Sequence, residues 1–360
     1  MAINNLKRHE LDMNFVFLKD LTGVKETTTR KPSSIWKLLM LLVVGLCGVY
    51  VCMIGVDNRS AFQQFPRKTV FQVKQQQEEH VTECPKLLKS HTFTEHYPHP
   101  NTFDRAECTC TPVHTFVILS MQRSGSGWFE TLLNSHPNIS SHGEVFSAAG
   151  RRENFTLITE TLESVFNLDW MSSAAKNECT SAIGLKWMLN QGVMEYHSEL
   201  AAYFKQKGVS VILLLRRNSL KRMISILANA YDKKEKLLNG THKSHVHSKE
   251  EALMLAAFKP MIDVKHLLHN LQRVQEITND ALQFFNGTRL LPLFYEDLLN
   301  SPSKMLQVQE FVGVKVQDLQ SEQVKIHTRP LQEQIQNWDE VSRHLQGTQF
   351  EHFLQDKDYF

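Results

Sequence analysis

Phe116-Val117-Ile118-Leu119-Ser120-Met121-Gln122-Arg123-Ser124-Gly125-Ser126-Gly127-Trp128 is the stretch on which the fold turns. Phe116 to Leu119 is apolar and half β-branched, as in a buried strand, and it runs straight into small residues. From Trp128 to Asn134 the pattern is helical, which predicts strand, loop and helix in immediate succession. Downstream the same alternation recurs. Ala182 to Trp187 (AIGLKW) reads as a short strand, followed by a helix with Tyr196, Leu200, Tyr203 and Phe204 on one face and Gly208 as its stop. Val209 to Leu215 is nearly all apolar, which fits a strand buried on both faces and central in a parallel sheet. A helix from about Leu220 to Tyr231, a polar excursion, a long helix from about Glu250 to Ile277 and the strand Arg289 to Phe294 complete the series. The expected fold is therefore α/β, a three-layer, doubly wound parallel sheet.

The opening loop is also the first candidate site. Gly125 and Gly127 let backbone N–H groups approach an anion, the helix that follows presents the positive end of its dipole, Arg123 adds a full charge, and Ser124 and Ser126 add hydroxyl donors. A nucleoside-triphosphate site would show GxxxxGK[ST], which the chain lacks, and an acidic magnesium ligand after the buried strand. Arg216-Arg217 stands there instead, and two cations attract a second anion. Arg217 and Ser225, eight residues apart, form a cradle for it if the next helix starts near Ser219; an arginine-capped strand end followed by an ordinary helix serine reads equally well.

The chain has 360 residues, 42% hydrophobic, enough for a substantial core, and its 40 Lys plus Arg against 38 Asp plus Glu exclude a general nucleic-acid binder. Leu38 to Val56 carries no charge and as a helix would rise about 28 Å, close to the thickness of a bilayer's hydrocarbon core. Lys7, Arg8, Lys19, Lys25, Arg30, Lys31 and Lys37 precede it, so the expectation is a single-pass signal-anchor with residues 1–37 in the cytosol. Residues 57–112, rich in Gln, Lys, Thr, His and Pro, read as a stem, leaving 113–360 as one catalytic domain. Cys84, Cys108, Cys110 and Cys179 then face the lumen, where they allow two disulfides in any of three pairings. Sequons stand at Asn58, Asn138, Asn154, Asn239 and Asn286. The His242, His245, His247 cluster reads as a solvated loop, not a metal site.

Together, QRSGSGW (122–128) and RRNSLKRMIS (216–225) resemble the paired nucleotide motifs of the sulfotransferase superfamily. The resemblance covers most of 113–360. It implies that Arg123, Ser124, Gly125, Ser126, Gly127 and Trp128 hold the 5′-phosphosulfate of 3′-phosphoadenosine 5′-phosphosulfate, and that Arg217, Asn218 and Ser225 hold its 3′-phosphate. Ser219 replaces the motif's usual Pro and Lys221 its usual Asp. Arg123 in place of Lys, and the following HPNISSHGE, are similar to Golgi tyrosylprotein and nodulation-type carbohydrate enzymes. In such members a Glu after the first helix is the proposed base, which here is Glu144; Lys186 in GLKWM matches a strand lysine that contacts the leaving group. Tyr295-Glu296-Asp297-Leu298 resembles a common YEDL helix start of structural role, and Lys325, His327, Arg329 and Trp338 fall where the family closes over its nucleotide.

The expected function is sulfuryl transfer to an acceptor hydroxyl in the Golgi lumen, with a carbohydrate favoured over tyrosine because GLK and NW (337–338) are the more similar to the carbohydrate enzymes. Expected partners are a glycan or glycoprotein acceptor and the membrane; no metal and no nucleic acid are expected, and a homodimer is left open. The rivals are a luminal P-loop kinase or hydrolase, and a non-catalytic membrane glycoprotein with a degenerate nucleotide fold.

Overall fold

The computed structural model describes residues 94–355 except Asn239, together with the backbone alone at Asn177. The apolar run 38–56, the stretch 1–37 read as a cytosolic tail, most of the stretch read as stem, and the sequons at 58 and 239 lie outside the described residues. Among the described residues no helix is long and apolar enough to cross a membrane.

The elements are β1 (His114–Ser120), α1 (Ser126–Ser135), β2 (Ile139–Ser141), α2 (Phe155–Phe166), β3 (Ala182–Met188), α3 (His197–Lys207), β4 (Ser210–Leu215), α4 (Ser219–Glu235), α5 (Lys249–Ala256), α6 (Val264–Phe285), β5 (Arg289–Phe294), α7 (Tyr295–Asn300), α8 (Pro302–Phe311), α9 (Leu331–Gln334) and α10 (Trp338–Leu345). The five strands form one parallel sheet in the order β2-β3-β1-β4-β5. β1 is central, and the expected central strand β4 lies one place outward, still interior. Side chains of β1 alternate between two cores, as the pleat requires. Phe116 and Ile118 pack with Phe129 and Leu133 on one face, and Val117 and Leu119 with Ile158, Leu162, Phe204 and Phe285 on the other.

One expected helix is two. The run from Glu250 to Ile277 breaks between α5 and α6, where Pro260 has no N–H to donate and disfavours helix in the residue before it. The side chain of Asp263 then starts α6 by accepting from Lys265 N. Residues 94–112, read as part of the stem, are laid along the α/β domain: the His96 ring meets Phe166 O at 3.1 Å, Asn101 N donates to Asp169 Oδ1 at 2.6 Å, and Arg105, 2% exposed, donates to Glu178 O and Thr111 O. Cys108 and Cys179 form a disulfide, and Cys110 is also disulfide-bonded.

Because β2 and β3 lie on one side of β1 and β4 and β5 on the other, the winding reverses between β1 and β4. The chain leaves both strands into loops at their carboxyl ends, which is where open α/β sheets bind ligands.

Candidate functional site

A cavity of about 800 Å³ opens at that reversal, lined by loop 122–128 except the buried Ser124, and by Arg216, Ser225, Glu144, Lys186 and the C-terminal stretch 323–327. Its described lining carries six cationic side chains, Arg123, Lys186, Arg216, Lys233, Lys234 and Lys325, against the carboxylate of Glu144. Such walls concentrate anions.

Loop 122–128 is shaped by exclusion. Arg123 and Gly125 both have positive φ, 64° and 85°, and a Cβ added at Gly125 would lie 2.2 Å from the Tyr295 ring. A Cβ at Gly127 would lie 2.3 Å from His245 Nε2. The positive φ together with the Tyr295 contact restricts position 125 to glycine, whereas at 127 a side chain would have to displace the His245 ring. Helix α1 starts at Gly125 with no side-chain cap, as α3 and α7 to α10 also do, so no side chain meets its first N–H groups at the cavity. Beside it, Ser124 Oγ is wholly buried without a hydrogen-bond partner among the described residues. Uncapped amides and an unsatisfied hydroxyl fit a phosphate or sulfate.

Arg123 Nε donates to Ser225 Oγ at 2.9 Å, so the structure joins the two sequence motifs at one point. Its Nη1 donates to Ser244 O at 2.9 Å, while burial and the Arg216 charge lower its pKa to about 10, leaving it charged at neutral pH. Arg222 Nε donates to Gln122 O at 2.8 Å and Arg216 Nη1 to Arg123 O at 3.2 Å, fixing the loop from behind. Ser126 and Trp128 line the cavity, and Trp128 meets Tyr295 edge-on at 5.6 Å between centroids.

At the second motif the structure departs from expectation. Arg217 does not line the cavity; its Nη2 pairs with both oxygens of Asp297, at 2.7 and 2.6 Å, and its guanidinium lies 3.9 Å from the Phe294 ring centroid. Arg216 lines the cavity instead. Consecutive side chains leaving a strand point to opposite sides, so only one of two adjacent arginines can face the site. Glu296, 2% exposed, receives Arg217 N at 3.0 Å and lies 3.9 Å from Arg216 Nε, so the YEDL segment orders both arginines from the start of α7. Asn218, read as a phosphate contact, caps α4 by accepting from Lys221 N and donates to Phe353 O.

Opposite the loop, Lys186 Nζ lies 3.1 Å from Glu130 Oε2 and 3.6 Å from Glu144 Oε1. Glu144 lines the cavity with its side chain 37% exposed, and its Oε2 accepts from Gln191 Nε2 at 3.0 Å. Glu130 is 7% exposed with both oxygens engaged. Of the two carboxylates, Glu144 is the one open to a substrate proton.

Glu130 and Gln191, which sequence reasoning passed over, support the site through Lys186 and Glu144, and Arg216, read there only as half of a cation pair, is the member of that pair that lines the cavity. The available signal for Glu130 is a carboxylate on the helix face that also carries Phe129 and Leu133. The loop that carries the histidine cluster is largely exposed, but it is not featureless: His242 pairs with Asp232 at 2.5 Å, and His245, itself exposed, lines the cavity beside Gly127. The Val246–Val324 bridge ties this loop to the C-terminal stretch. Burial, with Arg123 and Lys186 nearby, pushes His245 down to about 4; burial, with Arg123 and Arg216, pushes His327 down to about 3. Lys325 and His327 line the cavity as the closing segment was expected to, whereas Arg329 is exposed and Trp338 packs into the core beneath α4. Among the described residues no group of three or more His, Cys, Asp or Glu side chains could hold a metal ion.

The family described as "Sulfotransferase domain" matches residues 114–352. The chain is 25% identical over 259 residues to nodulation protein H of Rhizobium meliloti, covering 68% of this chain and 96% of that one. It is 28% identical over 248 residues to nodulation protein H of Rhizobium tropici, covering 67% and 92%. Among solved structures, it is similar to the sulfotransferase domain from the curacin biosynthetic pathway (TM-score 0.30, 16% identity, 57% of this chain and 75% of that chain). It is also similar to a mouse sulfotransferase complexed with PAP (TM-score 0.28, 14% identity, 57% and 60%).

Proposed function

The chain belongs to the sulfotransferase domain family and is an enzyme of that class, and from that premise we propose that it carries a sulfuryl group from 3′-phosphoadenosine 5′-phosphosulfate to a carbohydrate hydroxyl in the Golgi lumen. The observation that carries this reading is one cavity in which an uncapped, glycine-built helix end and Arg123–Ser225 face Lys186 and Glu144.

In this reading Arg123, Ser124, Ser126 and the amides that open α1 hold the phosphosulfate, and Arg216 with Ser225 holds the 3′-phosphate. The donor supplies an activated sulfuryl group and a stable leaving bisphosphate. Glu144 accepts the proton of the attacking hydroxyl as the new oxygen–sulfur bond forms. Lys186 and Arg123 stabilise the negative charge that gathers on the departing bridging oxygen as its bond to sulfur breaks. The products are a sulfate ester and adenosine 3′,5′-bisphosphate.

Support for a carbohydrate acceptor comes from the GLK and NW stretches and the similarity to nodulation protein H in two rhizobia. Support for the lumen comes from the apolar run behind a basic tail, the Cys108–Cys179 disulfide and the exposed sequons at Asn154 and Asn286. Labelled donor incubated with the full-length protein and either a neutral hexosamine oligosaccharide or a tyrosyl peptide tests the acceptor. We expect label in the oligosaccharide; label in the peptide alone would overturn the carbohydrate assignment.

A further inference from the structure

Glu130 sits on the inward face of α1, four residues after Ser126 and so one turn beyond the anion-binding end of the helix. The transfer steps above do not use it. Yet its carboxylate is fully committed: Oε1 accepts from Ser141 Oγ at 2.7 Å and Gly143 N at 2.8 Å, and Oε2 faces Lys186 Nζ at 3.1 Å. A carboxylate this buried persists only when paired and hydrogen-bonded, and all three partners support reacting groups. Ser141 ends β2, Gly143 immediately precedes Glu144, and Lys186 is the cavity lysine of β3. Gly143 O in turn accepts from Lys186 N at 3.0 Å, so the turn and the strand are also joined by their backbones.

We propose that Glu130 is a positioning residue for sulfuryl transfer: its carboxylate fixes both the Lys186 ammonium and the Gly143–Glu144 turn relative to the anion-binding end of the same helix. The inference rests on the roles given to Lys186 and Glu144 above. Lys186 Nζ stands between two carboxylates, nearer Glu130 than Glu144, at 3.1 against 3.6 Å. With Glu130 in place the ammonium is neutralised from behind, and Glu144 keeps an oxygen for the acceptor proton. Without the Glu130 charge, Lys186 closes onto Glu144, which both occupies the base and draws the cation away from the sulfuryl group. One helix thus registers the donor at its first amides and the proton acceptor one turn later.

The test compares full-length wild type with Glu130→Gln, an isostere that keeps the hydrogen-bonding shape and removes the charge. The readouts are transfer to the oligosaccharide, affinity for adenosine 3′,5′-bisphosphate and thermal melting. The expected result is a fall in kcat of about 100-fold, the scale of a misplaced reacting group, with donor KM and bisphosphate affinity held. A wild-type kcat, or a parallel loss of bisphosphate affinity, would overturn the inference while leaving the reading of the site standing. Should Glu130→Gln lose its melting transition, Ser141→Ala decides. That variant removes one neutral hydrogen bond from Glu130 and should lower kcat roughly fivefold with bisphosphate affinity held, and an unchanged kcat would overturn the inference. Wild type that binds no bisphosphate would remove the underlying reading, and this inference with it.

Discussion

Loop 122–128 and segment 216–225 meet in the same crevice, but the first is shaped by what its backbone excludes and the second by what its side chains pair with. Tyr295 closes over Gly125, whose φ is positive, so that no Cβ fits there, and a Cβ at Gly127 would have to displace the His245 ring. In the second segment two adjacent arginines divide the work: Arg216 faces the cavity, while Arg217 turns outward onto Asp297. A site restricted by its backbone should tolerate almost no substitution, whereas one built from alternative side chains should respond unequally to substitution of neighbouring residues.

The largest effect is therefore expected at Gly125→Ala. Positive φ and contact with Tyr295 together should destabilise the protein by about 3 kcal/mol, read as a lowered Tm, and abolish bisphosphate binding in what still folds. A variant that melts and binds like wild type would break the contrast. Next comes the arginine pair. Arg216→Ala should weaken adenosine 3′,5′-bisphosphate binding by about 2 kcal/mol, as for a hydrogen bond to a charged group. Arg217→Ala should leave that affinity alone and cost about 0.5 kcal/mol of stability, the scale of a solvent-exposed ion pair. Calorimetry that returned the reverse order would give the 3′-phosphate role back to Arg217.

The smallest effect concerns pH. His327 and His245 have pKa values of about 3 and about 4, below the ordinary 6.5, and burial with neighbouring cations is the cause. The folded protein thus binds fewer protons than the unfolded chain in this window, so its stability falls as pH drops below about 6.5 toward these values. Melting followed from pH 7 to pH 5 should show that decline, and His327→Gln should make it shallower. An equal slope in the variant would separate His327 from the acid sensitivity.

The same contrast explains what could be read from the sequence. The strands at 114–120, 210–215 and 289–294 announce themselves as short apolar runs, and the loop between β1 and α1 as small residues between a strand and a helix. Backbone-determined features leave such marks locally. Which of Arg216 and Arg217 faces the cavity leaves none, because it is settled by Asp297 and Glu296, some eighty residues away. Glu130 was hidden for the same reason: its partners Ser141, Gly143 and Lys186 come from two strands and a turn. The break at Pro260 was legible, but helical periodicity on both sides masked it. The loop around His245 is exposed, as its polar neighbours indicate, but its place on the cavity wall beside Gly127 is set only by folding.

The central claim is that the uncapped end of α1, Arg123 and Arg216 form a site for an adenosine bisphosphate and its sulfated precursor. Titration calorimetry of the purified full-length protein tests it most directly, with adenosine 3′,5′-bisphosphate in one cell and ATP with magnesium in another. Saturable heat from the bisphosphate and none of comparable strength from magnesium ATP is the predicted result; binding of magnesium ATP without binding of the bisphosphate would contradict it.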